Sequence, residues 1–162
     1  MTVVAAIVYG NQAFIGADCL ASDDELASTS ASPKVAQFGV LLLGFAGSWR
    51  VGQQFFRAAQ NALNPTLEQL LDKVEPDVKD DWQLLAVEGG RIYEVTSEKG
   101  IIEARKTKSG AYGAIGTGAS VALGSLYGRH QDEADLMVAL EAAQEHIVNV
   151  RGPFTILSTE WK

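Results

Sequence analysis

The chain has 162 residues, which suffice for one domain with a sizeable core and are too few for two ordinary ones. A hydrophobic fraction of 47% and a charged fraction of 20% are typical of a soluble globular protein. The net charge of −7 disfavours nucleic-acid binding, because an acidic surface repels phosphate. We therefore expect a single domain over residues 1–162 with no nucleic-acid partner.

Neither a membrane segment nor a targeting segment is indicated by the sequence. No apolar run approaches the roughly 20 residues that a membrane-spanning helix needs. The opening stretch MTVVAAIVYG lacks the basic flank of a secretory signal peptide, and its apolar residues predict a strand instead. We therefore expect a cytoplasmic protein that does not bind membranes.

The first part of the chain has strand patterns separated by turn signals. β-branched and apolar residues predict four strands, at residues 2–9, 13–18, 34–38 and 40–45. Tight-turn signals at residues 10–12 and at Gly39 join these strands in two hairpins. Residues 19–33 are rich in Ser, Asp and Ala, and we interpret them as an exposed loop.

Helices and further strands follow. Apolar side chains at helical spacing predict four helices, at residues 48–63, 66–74, 118–128 and 134–148. Strands are predicted at residues 83–87, 92–96, 111–115 and 154–157, the first two joined by Gly89-Gly90. Residues 75–81 are interpreted as an acidic surface linker. Because strands and helices are segregated along the chain, the order favours α+β layers over alternating βαβ units.

One pattern of residues fits hydrolysis by a threonine at the start of the chain. A threonine hydroxyl is a weak nucleophile that needs a base, and the α-amine of a first residue, with a pKa of about 8, can serve. A lysine near that amine would lower its pKa, and an aspartate would hold the lysine in place. A backbone N–H beside a glycine would stabilise the oxyanion. Thr2 becomes the first residue once Met1 is removed, which a small second residue normally permits.

The chain offers each of these groups at a suitable place. Asp18 ends the second predicted strand, sixteen residues after Thr2, and the hairpin brings it back beside Thr2. Lys34 starts the third strand after a further sixteen residues. Gly47 follows an apolar strand where that strand gives way to a helix.

Five stretches in this order resemble the proteasome β subunits and the bacterial HslV-type peptidases, which are N-terminal-nucleophile hydrolases. They are TVVAA at 2–6, IGAD at 15–18, PKV at 33–35, GFAG at 44–47 and AIGTG at 114–118. The resemblance spans most of the chain, and the compact length is nearer to the HslV type. It implies an α+β fold of four αββα layers, in which two sheets pack face to face with helices outside.

The resemblance also implies a role for each residue of the pattern. Thr2 would be the nucleophile and, through its amine, the base. Lys34 would tune that amine, and Asp18 would orient Lys34. The N–H of Gly47 would stabilise the oxyanion. Thr117 stands where the family usually has a serine, and its hydroxyl would supply a supporting hydrogen bond.

The implied function is that of a threonine-type endopeptidase subunit in a self-compartmentalising homo-oligomeric ring. Its substrates would be peptides or unfolded proteins, and an ATP-dependent unfoldase would be a possible partner. No cofactor is implied, and one cysteine with two separated histidines, His130 and His146, fits no metal site. Two alternatives stay open: a catalytically silent ring or scaffold subunit, and an amidase of the same class acting on small amides. The silent subunit is favoured by an uncleaved Met1 and by residues 148–153, which have no carboxylate where proteasome β subunits have an aspartate.

Overall fold

A computed structural model describes residues 2–23, 26–29, 33–104 and 106–161 of the chain, and Met1 lies outside these ranges. The described residues form eleven strands and four helices. The strands are β1 Val4–Tyr9, β2 Gln12–Ala17, β3 Leu20–Asp23, β4 Leu26–Thr29, β5 Val35–Phe38, β6 Leu41–Gly47, β7 Trp82–Glu88, β8 Arg91–Thr96, β9 Ile101–Glu103, β10 Ala111–Ile115 and β11 Thr155–Glu160. The helices are α1 Trp49–Gln60, α2 Leu67–Lys73, α3 Ala119–Gly128 and α4 Glu133–His146.

Two antiparallel sheets pack face to face at the centre of the molecule. The first sheet has the strand order β10-β1-β2-β11, and the second has the order β5-β6-β7-β8-β9. Val4 and Ile15 from the first sheet meet Leu42 and Leu85 from the second in one buried apolar cluster. Strands β1, β2 and β6 are buried on both faces, which explains why their sequences are apolar almost throughout.

Helices cover the outer face of each sheet. Phe55 of α1 and Leu70 of α2 pack in one apolar cluster with the outward side chains of β6 and β7. Leu126 of α3 and Leu140 of α4 pack in another with side chains of β1, including Ile7. The four layers run αββα, which confirms the fold expected from the sequence. Within the described part of the chain, none of the helices is long and apolar enough to cross a membrane.

Three of the four helices in the described part of the chain have a side-chain cap at their start. The hydroxyl of Ser48 accepts a hydrogen bond from the N–H of Val51, and Asp132 caps α4 in the same way. Thr66 and Gln69 form a reciprocal capping box at the start of α2. The start of α3, at Gly118, has no side-chain cap. All four predicted helices are present, and their ends differ by up to three residues from the predicted ends.

The prediction of a loop over residues 19–33 was wrong in part. Strands β3 and β4 pair with each other as a separate antiparallel ribbon, from Leu20 opposite Thr29 to Asp23 opposite Leu26. Their Ser- and Asp-rich sequence does not show the alternation of a half-buried strand. Residues 24, 25 and 30–32 of this segment lie outside the described residues. Strand β9 was missed as well, because three edge residues are too few to show a pattern.

The contact between the two sheets makes Gly44 a sensitive position. A Cβ atom at Gly44 would lie 2.6 Å from a methyl group of Val4 and 3.0 Å from one of Val35. We expect Gly44→Ala to lower the free energy of unfolding by about 1–3 kcal/mol, because the added methyl forces the sheets apart. Urea unfolding followed by circular dichroism measures this change.

Gly124→Ala is the matched control. Gly124 is exposed in α3, and a Cβ there would meet no heavy atom within 4 Å. Alanine should raise the free energy of unfolding by about 0.5–1 kcal/mol, because it loses less backbone entropy in a helix. A Gly44→Ala protein as stable as the parent would contradict the close packing of the two sheets.

Candidate active site

Three polar side chains meet at one end of the two packed sheets. Thr2 lies just before β1 and Asp18 just after β2, and the register that pairs Val4 with Ala17 brings both to the same end. Lys34 lies just before β5, and its carbonyl accepts a hydrogen bond from the N–H of Phe45 in β6. Thr2, Asp18 and Lys34 are only 2%, 2% and 4% exposed. The structure thus buries together three residues that the sequence pattern had associated.

The hydroxyl of Thr2 lies between an ammonium and a carboxylate. Thr2 Oγ1 donates to Asp18 Oδ1 at 2.7 Å, and Lys34 Nζ donates to Thr2 Oγ1. Lys34 Nζ also donates to Asp18 Oδ1 at 3.0 Å, forming a buried ion pair. The N–H of Val3 adds a third hydrogen bond to the same oxygen at 3.1 Å. These contacts fix the hydroxyl in one position.

Burial controls the charge of the lysine. Loss of solvation lowers the pKa of Lys34 below its ordinary value of 10.5, because the charged form is poorly solvated at this depth. The charge and the hydrogen bond of Asp18 act in the opposite direction, and Cys19 adds a weaker effect of the same sign. The protonated state of Lys34 therefore depends on the neighbouring carboxylate.

A cavity of about 300 Å³ opens beside Thr2. It is lined by Thr2, Ala46, Gly47, Asp81, Trp82, Gln83, Gly116 and Thr117. The cavity lies where β6 gives way to α1 and where β10 gives way to α3. It is the space next to Thr2 in which a ligand can approach the hydroxyl.

Gly47 places a backbone N–H at the end of β6. Its φ is +82°, and a Cβ there would lie 2.5 Å from the carbonyl oxygen of Asp81, so a side chain is excluded. The backbone N–H of Ser48 donates a hydrogen bond to that carbonyl at 2.9 Å, so this N–H points to the edge of β6 that pairs with β7. Because successive N–H groups of a strand alternate between its edges, the Gly47 N–H points to the other edge, which is the Lys34 side.

The turn between β10 and α3 wraps the backbone of Thr2. The N–H of Gly118 donates to the Thr2 carbonyl at 3.1 Å, and the Thr117 hydroxyl donates to it at 3.3 Å. The Thr2 nitrogen lies 3.3 Å from the Thr117 hydroxyl oxygen, to which it donates. Gly116 has a φ of +90°, and a Cβ there would collide with the Thr2 carbonyl. All five residues chosen from the sequence therefore lie on or beside one cavity.

The sequence pattern did not identify Gln83. Its side-chain oxygen accepts a hydrogen bond from the N–H of Gly116 at 3.1 Å, which ties the start of β7 to the turn over Thr2. The available signal was a polar residue inside the apolar run from Trp82 to Val87. Such a residue on a covered strand needs a polar partner.

Of the other residues considered in the sequence, one segment passes beside the site, and the two histidines do not line its cavity. The carbonyl of Arg151 accepts from the N–H and the thiol of Cys19, at 3.2 and 3.6 Å, so residues 148–153 pass beside the site. His130 lies within hydrogen-bonding distance of Ser109 and the Leu126 carbonyl. His146 is exposed at the end of α4. Neither histidine lines the cavity beside Thr2.

Comparison with known proteins gives a fold and no close relative. No protein-family model matches the sequence, and no curated protein is significantly similar to it. Eukaryotic HslV from Trypanosoma brucei has a TM-score of 0.80 and 15% identity, over 98% of this chain and 99% of that one. The chain has the HslV fold.

Two other solved structures support this assignment. BPH from Thiobacillus denitrificans has a TM-score of 0.76 at 17% identity, over 97% of both chains. Anbu (ancestral beta-subunit) from Yersinia bercovieri has a TM-score of 0.69 at 13% identity, over 98% of this chain and 81% of that one. The TM-scores establish a shared HslV-like architecture. Identities this low show the fold alone, so an argument about chemistry must rest on the side chains of this chain.

The buried ion pair can be tested by unfolding. We expect Asp18→Ala to lower the free energy of unfolding by about 3–5 kcal/mol near neutral pH, because it leaves the Lys34 ammonium buried without a carboxylate. Without the charge and the hydrogen bond of Asp18, both of which raise it, the folded pKa of Lys34 in the variant should lie further below 10.5 than in the parent. As pH rises, the folded variant therefore loses the Lys34 proton before the folded parent does. The deficit should therefore shrink as pH rises toward 10.5, which urea unfolding at a series of pH values measures.

The double variant Asp18→Ala with Lys34→Met separates charge from packing. It removes both charges, so it should be more stable than Asp18→Ala alone and should lack the recovery at high pH. If the double variant instead shows the sum of two large losses, the two side chains do not act as a pair.

Proposed function

We propose that this chain is a threonine-type endopeptidase subunit in which Thr2 is the nucleophile after removal of Met1. The observation that carries the proposal is the Thr2 hydroxyl buried between Lys34 and Asp18 at the edge of an open cavity. Met1 lies outside the described residues, so its removal is part of the proposal. The HslV-like fold is the framework in which this arrangement occurs.

The reaction would proceed through an acyl-threonine ester. The neutral α-amine of Thr2 takes the hydroxyl proton as Oγ1 attacks the peptide carbonyl carbon. The Gly47 N–H donates to the resulting oxyanion, and the amine passes its proton to the leaving amine as the C–N bond breaks. A water molecule, deprotonated by the same amine, then hydrolyses the ester.

The other residues would tune this base. A protonated Lys34 lowers the pKa of the amine by like-charge repulsion and so increases its neutral fraction at physiological pH. Asp18 favours the charged form of Lys34 and orients it. The Thr117 hydroxyl, 3.3 Å from the Thr2 nitrogen, holds that nitrogen in place.

The wider proposal follows the resemblance to HslV-type peptidases. We infer one domain over residues 1–162, a cytoplasmic location and assembly into homo-oligomeric rings that enclose the sites. Peptides or unfolded proteins would be the substrates, delivered by an ATP-dependent unfoldase, and the reaction needs no cofactor. The exposed side chains of Tyr127 on α3 and Val138 on α4 are suited to burial between subunits.

A catalytically silent ring subunit is the second candidate. It is favoured by residues 148–153, which pass beside Asp18 and contain no carboxylate. The same fold would then serve assembly alone. An amidase for small amides would in contrast act through an open site outside any closed ring.

The mass of the purified protein tests the proposed nucleophile. We expect a species that begins at Thr2, and its incubation with Epoxomicin, which BPH binds in a solved complex, should add one inhibitor mass. Thr2→Ala should remove the adduct, because alanine has no hydroxyl, whereas Thr2→Ser should retain it at a lower rate. Equal labelling of Thr2→Ala and the parent would reject Thr2, and a uniformly retained Met1 would favour the silent subunit.

Native mass spectrometry separates the ring from the small-amide enzyme. A closed oligomer of identical chains that cleaves an unfolded protein is the expected result. An active monomer that cleaves only small amides would contradict the compartment and support the amidase. Thr2→Ala should assemble like the parent, since its missing hydroxyl lies inside the domain.

A further inference from the structure

Gln83 joins the two halves of the site through its side-chain amide. It lies in β7, opposite Ala46 of β6, and it lines the cavity beside Thr2. The Gly116 N–H that it contacts belongs to the turn after β10, in the other sheet. The side-chain amide of Gln83 therefore connects the two sheets beside the cavity.

The oxygen of this amide supports the position of Thr2. Because a backbone N–H must meet an acceptor, Oε1 faces Gly116 at 3.1 Å. The turn that it holds supplies both the Thr117 hydroxyl and the Gly118 N–H to the Thr2 backbone. Gly116 itself leaves no room for a side chain against the Thr2 carbonyl. A shift of this turn would therefore move the Thr2 nitrogen.

The nitrogen of the same amide is available to a ligand. With Oε1 assigned to Gly116, the two N–H donors of Nε2 point elsewhere, and within the described residues they meet no acceptor. The residue borders the cavity, where a donor without a partner can bind a carbonyl oxygen. A peptide in that cavity presents such oxygens at every residue.

We propose that Gln83 has two roles in the peptidase reaction proposed above, on which this inference rests. Its oxygen positions Thr2 by fixing the turn at residues 116–118. Its nitrogen donates a hydrogen bond to a backbone carbonyl of the bound peptide, beside the scissile bond. One amide thus couples the placement of the nucleophile to the placement of the substrate.

Two variants of similar size separate these roles. Gln83→Met removes both hydrogen bonds, whereas Gln83→Glu keeps the acceptor oxygen for Gly116 and removes the donor. Gln60→Glu is the control, because it adds the same charge at the exposed far end of α1, about 16 Å along the helix from its first residue. The measurements are kcat and KM on an unfolded-protein or peptide substrate across pH, with assembly checked by native mass.

The positioning role predicts a loss in kcat for Gln83→Met of about three- to tenfold, the effect of one neutral hydrogen bond. Gln83→Glu should instead raise KM by about three- to tenfold and retain more of the parent kcat. Its carboxylate should also raise the pKa of the Thr2 amine, so the acid limb of kcat/KM should move to higher pH. Gln60→Glu should match the parent in kcat, in KM and in the pH of the acid limb.

Hydrogen exchange tests the positioning role without activity. Amides of residues 116–118 should exchange faster in Gln83→Met than in the parent and at the parent rate in Gln83→Glu. Unchanged exchange and kinetics in an assembled Gln83→Met protein would overturn the inference while leaving the proposed peptidase intact. An inactive parent whose Gln83→Met variant still shows faster exchange would overturn the peptidase and the substrate role, leaving the turn-holding contact.

Discussion

The buried contact of Lys34 with Asp18 is the interaction on which the site depends. Burial lowers the pKa of Lys34, and the charge and hydrogen bond of the Asp18 carboxylate, 3.0 Å away, oppose that shift. The carboxylate is in turn held by the Val3 N–H and by the Thr2 hydroxyl. Charge, hydroxyl orientation and the start of β1 are therefore set together, and none of them can change alone.

The double-sheet architecture makes this contact possible. Thr2 and Asp18 adjoin strands of one sheet, and Lys34 adjoins a strand of the other. The three side chains therefore meet only because the sheets pack face to face. Burial between sheets removes water, which both lowers the pKa of the lysine and strengthens its attraction to the carboxylate. The same layer packing that stabilises the fold thus produces the electrostatics of the site.

Much of this arrangement is predictable from the sequence, and particular residues show why. Apolar, β-branched runs identify β1, β2 and β6, because strands covered on both faces must be apolar. The hairpin spacing places Asp18 opposite Val3, next to Thr2, since the register follows from a short turn. Strand periodicity does not specify which sheets face each other, so the position of Lys34 came from the resemblance of its motif to a known family. The role of Gln83 was not predicted, because its hydrogen-bond partner Gly116 lies 33 residues away, beside a strand of the other sheet.

The strand-to-helix transitions have a consequence for charge. The cavity is bordered by Gly47, two residues before α1, and by Thr117, two residues before α3. Helix beginnings carry unsatisfied N–H groups and a partial positive charge, worth about 0.3–1 kcal/mol to a nearby anion. Two such ends border one small volume, and the start of α3 has no side-chain cap to screen it. Part of the stabilisation of any anion in this cavity would therefore come from the backbone, which side-chain substitution would leave intact.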